Sequence, residues 1–294
     1  MIKLRALLLH AVIILFSVGP AIADEQDGAA LEMKVYNSDA ASFHVNSVLL
    51  TGKRDAILID AQFTRAHAHR LVAEILDSRK NLIAVYISHG DPDYYFGLEI
   101  IKQEFPDVKV YASSPTVSWI KKTVDKKVAF WGPKMGMEAP LSPVIPAVLP
   151  GNSLDLEGHK LEVVGLNGEQ PQRSFVWIPA LKAIVGGVNV FAGLHLWTAD
   201  TQSKEEREAW AGVLDRMIAL NPDTVVSGHA AVNAPQDASQ ITYSLDYLKV
   251  YEKALEKTET SESLIKLMQQ AYPDAKLEIA LDIGAKVNKG EMKW

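Results

Sequence analysis

The 294-residue chain contains no cysteine. That excludes a thiol nucleophile, thiolate metal ligands and any disulfide, so stability must come from the core. Positive charge is also short: 30 Lys and Arg stand against 36 Asp and Glu, a net charge of −6. An acidic chain repels phosphate backbones, which argues against nucleic acid as a partner. Long apolar runs are confined to the N-terminus, and no later run is long enough to span a bilayer. There is no solenoid-like repeat and no low-complexity tract.

The N-terminal run has the form of an export signal. Lys3 and Arg5 give a basic start, Ala6 to Val18 is apolar, and Ala21-Ile22-Ala23 is a small-x-small cleavage site. An uncleaved anchor is the alternative, but the run is short and followed by a cleavage signal. Residues 1–23 are therefore expected to be removed, giving a periplasmic or secreted chain of net charge −8 with no further membrane contact. Apolar content of 48% and charged content of 22% are ordinary for a globular domain with a substantial core.

"SFHVNSVLLTG" and "DAILIDA", separated by Gly52-Lys53-Arg54, read as a hairpin. "TRAHAHRLVAEILDS" has helical apolar spacing, and "LIAVYIS" reads as a buried strand. "LEIIKQEF" is a helix stopped at Pro106, and "VKVYAS" a strand. Ser114 and Pro115 open another helix, with Ser114 as its cap. Residues 131–152, rich in Pro and Gly, read as a long loop that could wall a site. Strands return from Asn152, with a Glu157-Gly158 turn, and Ser203 with Glu206 forms a capping box before an amphipathic helix. A strand then leads to His229, and the pattern is helical after about residue 236. The expected division is 24–235 for the main domain and 236–294 for a helical extension that either covers the fold or forms a dimer face.

The chemistry concentrates in "YISHGDPDYYFG", which places His89, Asp91 and Asp93 at alternate positions between a strand and a helix. Such a cluster can hold a metal. It can equally be a strand-end loop whose carboxylates accept N–H groups at the helix start. Among the other histidines, His67 and His69 point to different faces of their helix and are expected at the surface. His44 and His159 lie in or beside strands and turns with no donor cluster. His195, beside Trp197 and Asp200, is a substrate-contact candidate, or else a structural histidine packed on Trp197. Trp119, Trp131, Trp177 and Trp210 are expected in the core or the site wall.

Over about residues 31–232 the chain resembles the metallo-β-lactamase superfamily. "VLLTGKRDAILIDA" is similar to its opening hairpin, "ISHGDPDYYFG" to its His-x-His-x-Asp-His run, and "VVSGH" to its late strand and histidine. The resemblance implies an α/β fold, a four-layer αββα sandwich. It also implies ligand positions at His89, Asp93 and His229. Asp91 and Tyr94 stand where the family has histidines, Glu169 (or Gln170) is the nearest donor in the middle loop, and Val188 replaces the bridging carboxylate. One metal would see His89, Asp91 and Glu169, and another Asp93 and His229 with Tyr94 nearby. The expected cofactor is one divalent metal, zinc first, with manganese or iron admitted by the oxygen-rich set, or none.

The leading expectation is a hydrolase that attacks a small ester, lactone or amide through metal-bound hydroxide. Asp93 or Asp91 would be general base, with His195, Tyr94 and Trp197 contacting the small-molecule substrate. The alternatives are a metal-free module that binds a ligand or protein, and a metal-independent enzyme using Asp91, Asp93 and His229. Nothing in the sequence sets the oligomeric state.

Overall fold

The structure, a computed structural model, describes residues 30–294. The export signal read over residues 1–23 lies outside the described residues. In chain order the elements are β1 (Glu32–Asn37), β2 (Asn46–Thr51), β3 (Asp55–Ile59), α1 (Arg65–Ser78), β4 (Asn81–Ile87), α2 (Pro92–Tyr95), α3 (Leu98–Glu104), β5 (Lys109–Ala112) and α4 (Ser114–Met135). The second half holds β6 (Ala147–Val148), β7 (Ser153–Leu156), β8 (His159–Val164), β9 (Phe175–Ile178), β10 (Ala183–Val185), β11 (Phe191–Ala192), α5 (Lys204–Ala219), β12 (Thr224–Val225) and β13 (His229–Ala230). The chain closes with α6 (Ser239–Lys257), α7 (Ser261–Ala271) and α8 (Glu278–Asn288).

Alternation along the strands sets the layers. In β3, Ala56 and Leu58 belong to the core shared with the helices, whereas Ile57 and Ile59 face a second core built from strands. In β4, Val85 and Ile87 share the helix side, and Ala84 and Tyr86 the strand side. The same period of two divides Phe175 from Val176 and Ile178 in β9. Strands apolar on both faces must be covered on both faces, so two sheets pack together with helices outside. One sheet has the order β1-β2-β3-β4-β5-β6, and the other β12-β10-β9-β8-β7. β2 and β3 form the expected antiparallel hairpin, and β3 to β6 run parallel. The Glu157 carboxylate accepts the N–H groups of Lys53, Arg54 and Asp55, tying this hairpin to the β7–β8 turn. A short parallel pair, β11 with β13, carries His229.

Three local expectations need correction. α4 is capped by Ser113, not Ser114, and continues to Met135, so residues 131–135 are helix rather than loop. Pro133 lies inside the helix, where its missing N–H leaves the Ala129 carbonyl without its helical donor, and the helix ends two residues later. His67 is buried, not on the surface: its Nε2 lies 3.1 Å from Asp39 and its Nδ1 2.6 Å from the Tyr36 hydroxyl. His69 is exposed as expected.

The C-terminal helices cover the fold. α6 packs on α5 and β11, α7 on α6 and α8 on α7. Gly284 of α8 is where a close approach demands glycine, since a Cβ would sit 2.3 Å from Thr198 Oγ1. This packing brings Leu277 and Trp294 to the mouth of the strand-end site. Among the described residues no helix is long and apolar enough to cross a membrane.

Candidate functional site

β4 ends at Ile87 and delivers Ser88, His89, Gly90 and Asp91 into the turn before α2. Asp60, at the end of β3, accepts the Ser88 N–H at 2.8 Å and its hydroxyl at 2.6 Å. Ser88 Oγ in turn accepts the Gly187 N–H at 2.7 Å, so both sheets are joined beneath the site. Burial raises the Asp60 carboxyl to about 7 against these bonds. From the second sheet, Gly228 lets the β13 loop approach: a Cβ there would lie 2.2 Å from the Gly187 carbonyl and 2.7 Å from the Tyr94 hydroxyl.

The turn and β13 meet in two pairs. His89 Nε2 lies 3.3 Å from Asp91 Oδ2, and His229 Nε2 lies 3.4 Å from Asp93 Oδ2. Each imidazole is oriented from behind: Nδ1 of His89 lies 3.2 Å from the Gln172 carbonyl, and Nδ1 of His229 lies 2.9 Å from the Phe43 carbonyl. A carbonyl only accepts, so His229 carries its proton on Nδ1 and leaves Nε2 as an acceptor. Burial holds His229 down at about 4, and burial followed by the nearby Asp91 charge pushes Asp93 well above the usual carboxylate range. His229 is therefore uncharged near neutral pH, and the Asp93 carboxyl is pushed toward its protonated form. Asp91 is the opposite case. Burial would raise it, but Lys127 and then His89 outweigh burial and hold it well below that range.

Lys127 is the residue the sequence did not single out. Its Nζ lies 3.2 Å from Asp91 Oδ1, with both side chains mostly buried. Burial opposes its charge, yet Asp91 keeps it above the ordinary lysine value. The only available signal was helical spacing, since Lys127 and Trp131 are one turn apart on α4 and share a face. Asp91 occupies the N-cap position of α2 but makes no capping bond. Its carboxylate serves Lys127 instead, so simple capping does not account for it.

These groups floor a pocket lined by Asp91, Asp93, Lys127 and His229 below and by aromatic and apolar side chains above. Phe43 sits 5.2 Å from Trp131 and from Phe63, centroid to centroid. Phe191 stacks on His229 at 4.9 Å. Trp197 and Trp294 close the opposite wall, 5.4 Å apart, both donating indole N–H groups to Asp200.

Trp197 lines the pocket. Tyr94 does not line it: fully buried between the rings of His89 and His229, its hydroxyl lies 3.1 Å from His229 Nε2 and 3.4 Å from the Gly187 carbonyl. Burial pushes its phenol well above the ordinary value, which disfavours a phenolate ligand. His195 is drawn elsewhere, with Nδ1 2.9 Å from the Tyr247 hydroxyl in the α6 packing layer. Its ring contacts Tyr247 rather than Trp197. Glu169 is exposed in a separate groove with Glu205 and Glu208, because the turn at Pro171–Arg173 presents the Gln172 carbonyl, not Glu169, to His89. Arg173, also unanticipated, is buried against the Trp210 ring at 4.1 Å and donates to the Val188 carbonyl. Burial lowers it to about 10, so it stays charged.

The donor set does not fit a resident metal. Among the described residues no three His, Asp or Glu side chains converge as a metal-holding group. Each imidazole has one carboxylate partner, below the roughly three protein ligands a catalytic zinc uses. Val188 contributes only apolar surface to the pocket, and an ammonium already answers Asp91.

A family model for the metallo-beta-lactamase superfamily matches residues 42–229. No curated protein matches the chain. Solved structures share the fold at low identity. A beta-lactamase domain protein from Burkholderia ambifaria is 14% identical with a TM-score of 0.61, covering 93% of this chain and 86% of its own. A metallo-beta-lactamase family protein from Thermus thermophilus is 16% identical at 0.60, covering 89% and 93%. The stereoselective inverting sec-alkylsulfatase from Pseudomonas sp. is 16% identical at 0.54, covering 86% of this chain and 48% of its own.

Proposed function

The chain belongs to the metallo-beta-lactamase superfamily, and from that premise we propose a hydrolase-like enzyme that activates water by acid–base chemistry without a resident metal. The observation that carries this reading is the Asp93–His229 pair at the pocket floor, 3.4 Å apart, with the imidazole fixed by Phe43. The unprotonated Nε2 of His229 takes the proton of an attacking water, and Asp93, whose carboxyl burial pushes toward its protonated form, gives one to the leaving oxygen or nitrogen. Lys127 places a fixed positive charge beside the oxyanion that develops on the substrate carbonyl. Asp91 holds that ammonium in place. The substrate is a small ester, lactone or amide whose body fits the aromatic walls. The basic start, apolar run and small-x-small site at residues 1–23 support a periplasmic or secreted location for this activity.

The test is a hydrolysis screen over aryl and alkyl esters, lactones and amides, using chelator-treated protein. Turnover that survives chelation and falls at least about a hundredfold in His229→Gln and in Asp93→Asn supports the reading. Turnover that vanishes with chelator and returns with zinc sinks it. Absence of turnover on every substrate leaves a ligand-binding pocket and sinks the catalytic reading as well.

A further inference from the structure

A second, open groove lies beside the catalytic pocket, and Lys127 and Trp294 line both. One of its walls is a single face of α4. Trp119, Lys122, Thr123, Lys126, Lys127 and Phe130 recur at the three- and four-residue spacing that stacks side chains on one side of a helix. Lys293, from the segment after α8, lines the groove as well. Lys127 is committed to Asp91. Lys122, Lys126 and Lys293 have no carboxylate at ion-pair distance among the described residues.

Two carboxylates also line the groove, and both are engaged. Asp200 accepts the indole N–H groups of Trp197 at 2.8 Å and Trp294 at 2.7 Å. Glu206 accepts the Ser203 N–H in its capping box at 3.0 Å. Neutral donors leave these two charges in place, so with Lys127 answered by Asp91 the groove sets three lysines against two carboxylates, a small positive surplus on a chain whose net charge is −6. Its aromatic surfaces are already partnered with cations: the Lys122 ammonium lies 5.7 Å from the Trp119 ring centre, and that of Lys127 lies 5.3 Å from the Trp294 ring centre.

We propose that the groove and the pocket together bind an amphipathic anion, with its apolar body among the aromatic walls of the pocket and its negative head on Lys122, Lys126 and Lys293. This deepens the acid–base reading above and rests on it, because it makes the substrate an anionic ester, lactone or amide. The anionic head stays with the three rim lysines, so it does not meet the Asp91 carboxylate on the floor. Lys127 and Trp294 form the threshold between the two compartments.

The probes are three molecules of one shape: 4-phenylbutyrate, its neutral amide and 4-phenylbutylamine. Binding is read by calorimetry and by tryptophan fluorescence. Each screened contact contributes modestly, so three lysines should make the carboxylate bind about tenfold tighter than the amide, with the amine weakest. The preference should shrink at high salt. The Lys122→Gln, Lys126→Gln, Lys293→Gln triple variant, all rim positions, should lose the preference while keeping the amide's affinity and the parent's melting temperature. Equal affinity for carboxylate and amide overturns the proposal. So does a preference unchanged in the triple variant, or no binding of any probe. An anion preference in a protein whose ester hydrolysis ignores His229→Gln supports the groove and refutes the acid–base reading. Hydrolysis that needs His229 without any anion preference refutes the groove alone.

Discussion

Replacing Lys127 with methionine removes the ammonium and keeps most of the side chain's volume. Asp91 then stays 8% exposed with its nearest cation gone. Breaking a buried pair by deleting one partner costs about 3–5 kcal/mol, because the surviving charge is left unanswered. Residual exposure of 15% for the lysine and 11% for the aspartate places the expectation at the low end, about 3 kcal/mol. That is a large part of a typical total of about 5–15 kcal/mol. The pH dependence carries the diagnosis. In the parent, Lys127 and His89 hold Asp91 below its unfolded value against burial, so its contribution is complete above about pH 4 and fades as pH falls further. In Lys127→Met the main opposition to burial is gone and the carboxyl moves up, so the variant loses stability as pH rises above about 4. The difference between the two proteins should therefore be greatest near pH 7 and smallest near pH 4. Asp91→Asn in the same background should recover all but about 1 kcal/mol. Urea unfolding of the four proteins at both pH values measures this. A cost below about 1 kcal/mol, or one independent of pH, would refute the buried pair.

Three further expectations follow from the same geometry. His229 is depressed from 6.5 to about 4 by burial, so the unfolded chain binds a proton below about pH 6.5 that the folded chain refuses. This site alone should cost about 3 kcal/mol between pH 6.5 and 4, opposed by Asp60 and Asp93, whose raised carboxyls gain stability as pH falls, so the difference between the parent and His229→Gln in urea titrations isolates it. Gly228→Ala pushes a Cβ toward the Gly187 carbonyl and the Tyr94 hydroxyl. It should cost about 3 kcal/mol, and an unchanged melting curve would contradict the close approach. His195→Phe breaks the bond to Tyr247 in the helical layer, so about 1 kcal/mol of stability should be lost with KM unchanged for any substrate found. A KM effect without a stability effect would return His195 to the site.

The layers were legible because strands buried on both faces read as continuous apolar runs, as "AILI" and "IAVYI" do. Helix starts were legible where local chemistry is self-contained, as with Ser203 and Glu206. The end of α4 was not, because Gly132 and Pro133 carry breaker signals that the last turn of a helix tolerates. The two-residue spacing of His67 and His69 correctly split them between faces. It could not say which face was covered, since Tyr36 and Asp39 arrive from about thirty residues upstream. The candidate site divides in the same way. His89, Asp91, Asp93 and His229 are set by strand ends, and the structure brings them together. Glu169 depended on the path of one loop, and that loop turns its backbone inward. Lys127, Trp131 and Trp294 arrive from helices and the C-terminal segment, whose packing no local pattern encodes.

The charge balance at the floor explains why the substitutions belong together. Two neighbouring buried carboxylates cannot both be ionised unless cations answer them. Asp91 is answered by Lys127, and Asp93 is pushed toward its protonated form, so both carboxylates are accommodated by groups of the chain itself. A metal would have to displace the ammonium, deprotonate Asp93 and make do with Val188 where the family has a carboxylate. Zinc affinity should therefore be lowest in the parent and highest in the variant that removes the competing charge. Calorimetric titration with zinc at about pH 7.5 should give no stoichiometric binding to the parent and measurable binding to Lys127→Met. Adding Val188→Asp should tighten it further, because a third oxygen donor then faces the pocket. Stoichiometric zinc on the parent that is lost in an Asp93→Ala, His229→Ala variant would show that the ammonium yields to a metal, and the acid–base reading would fall with it.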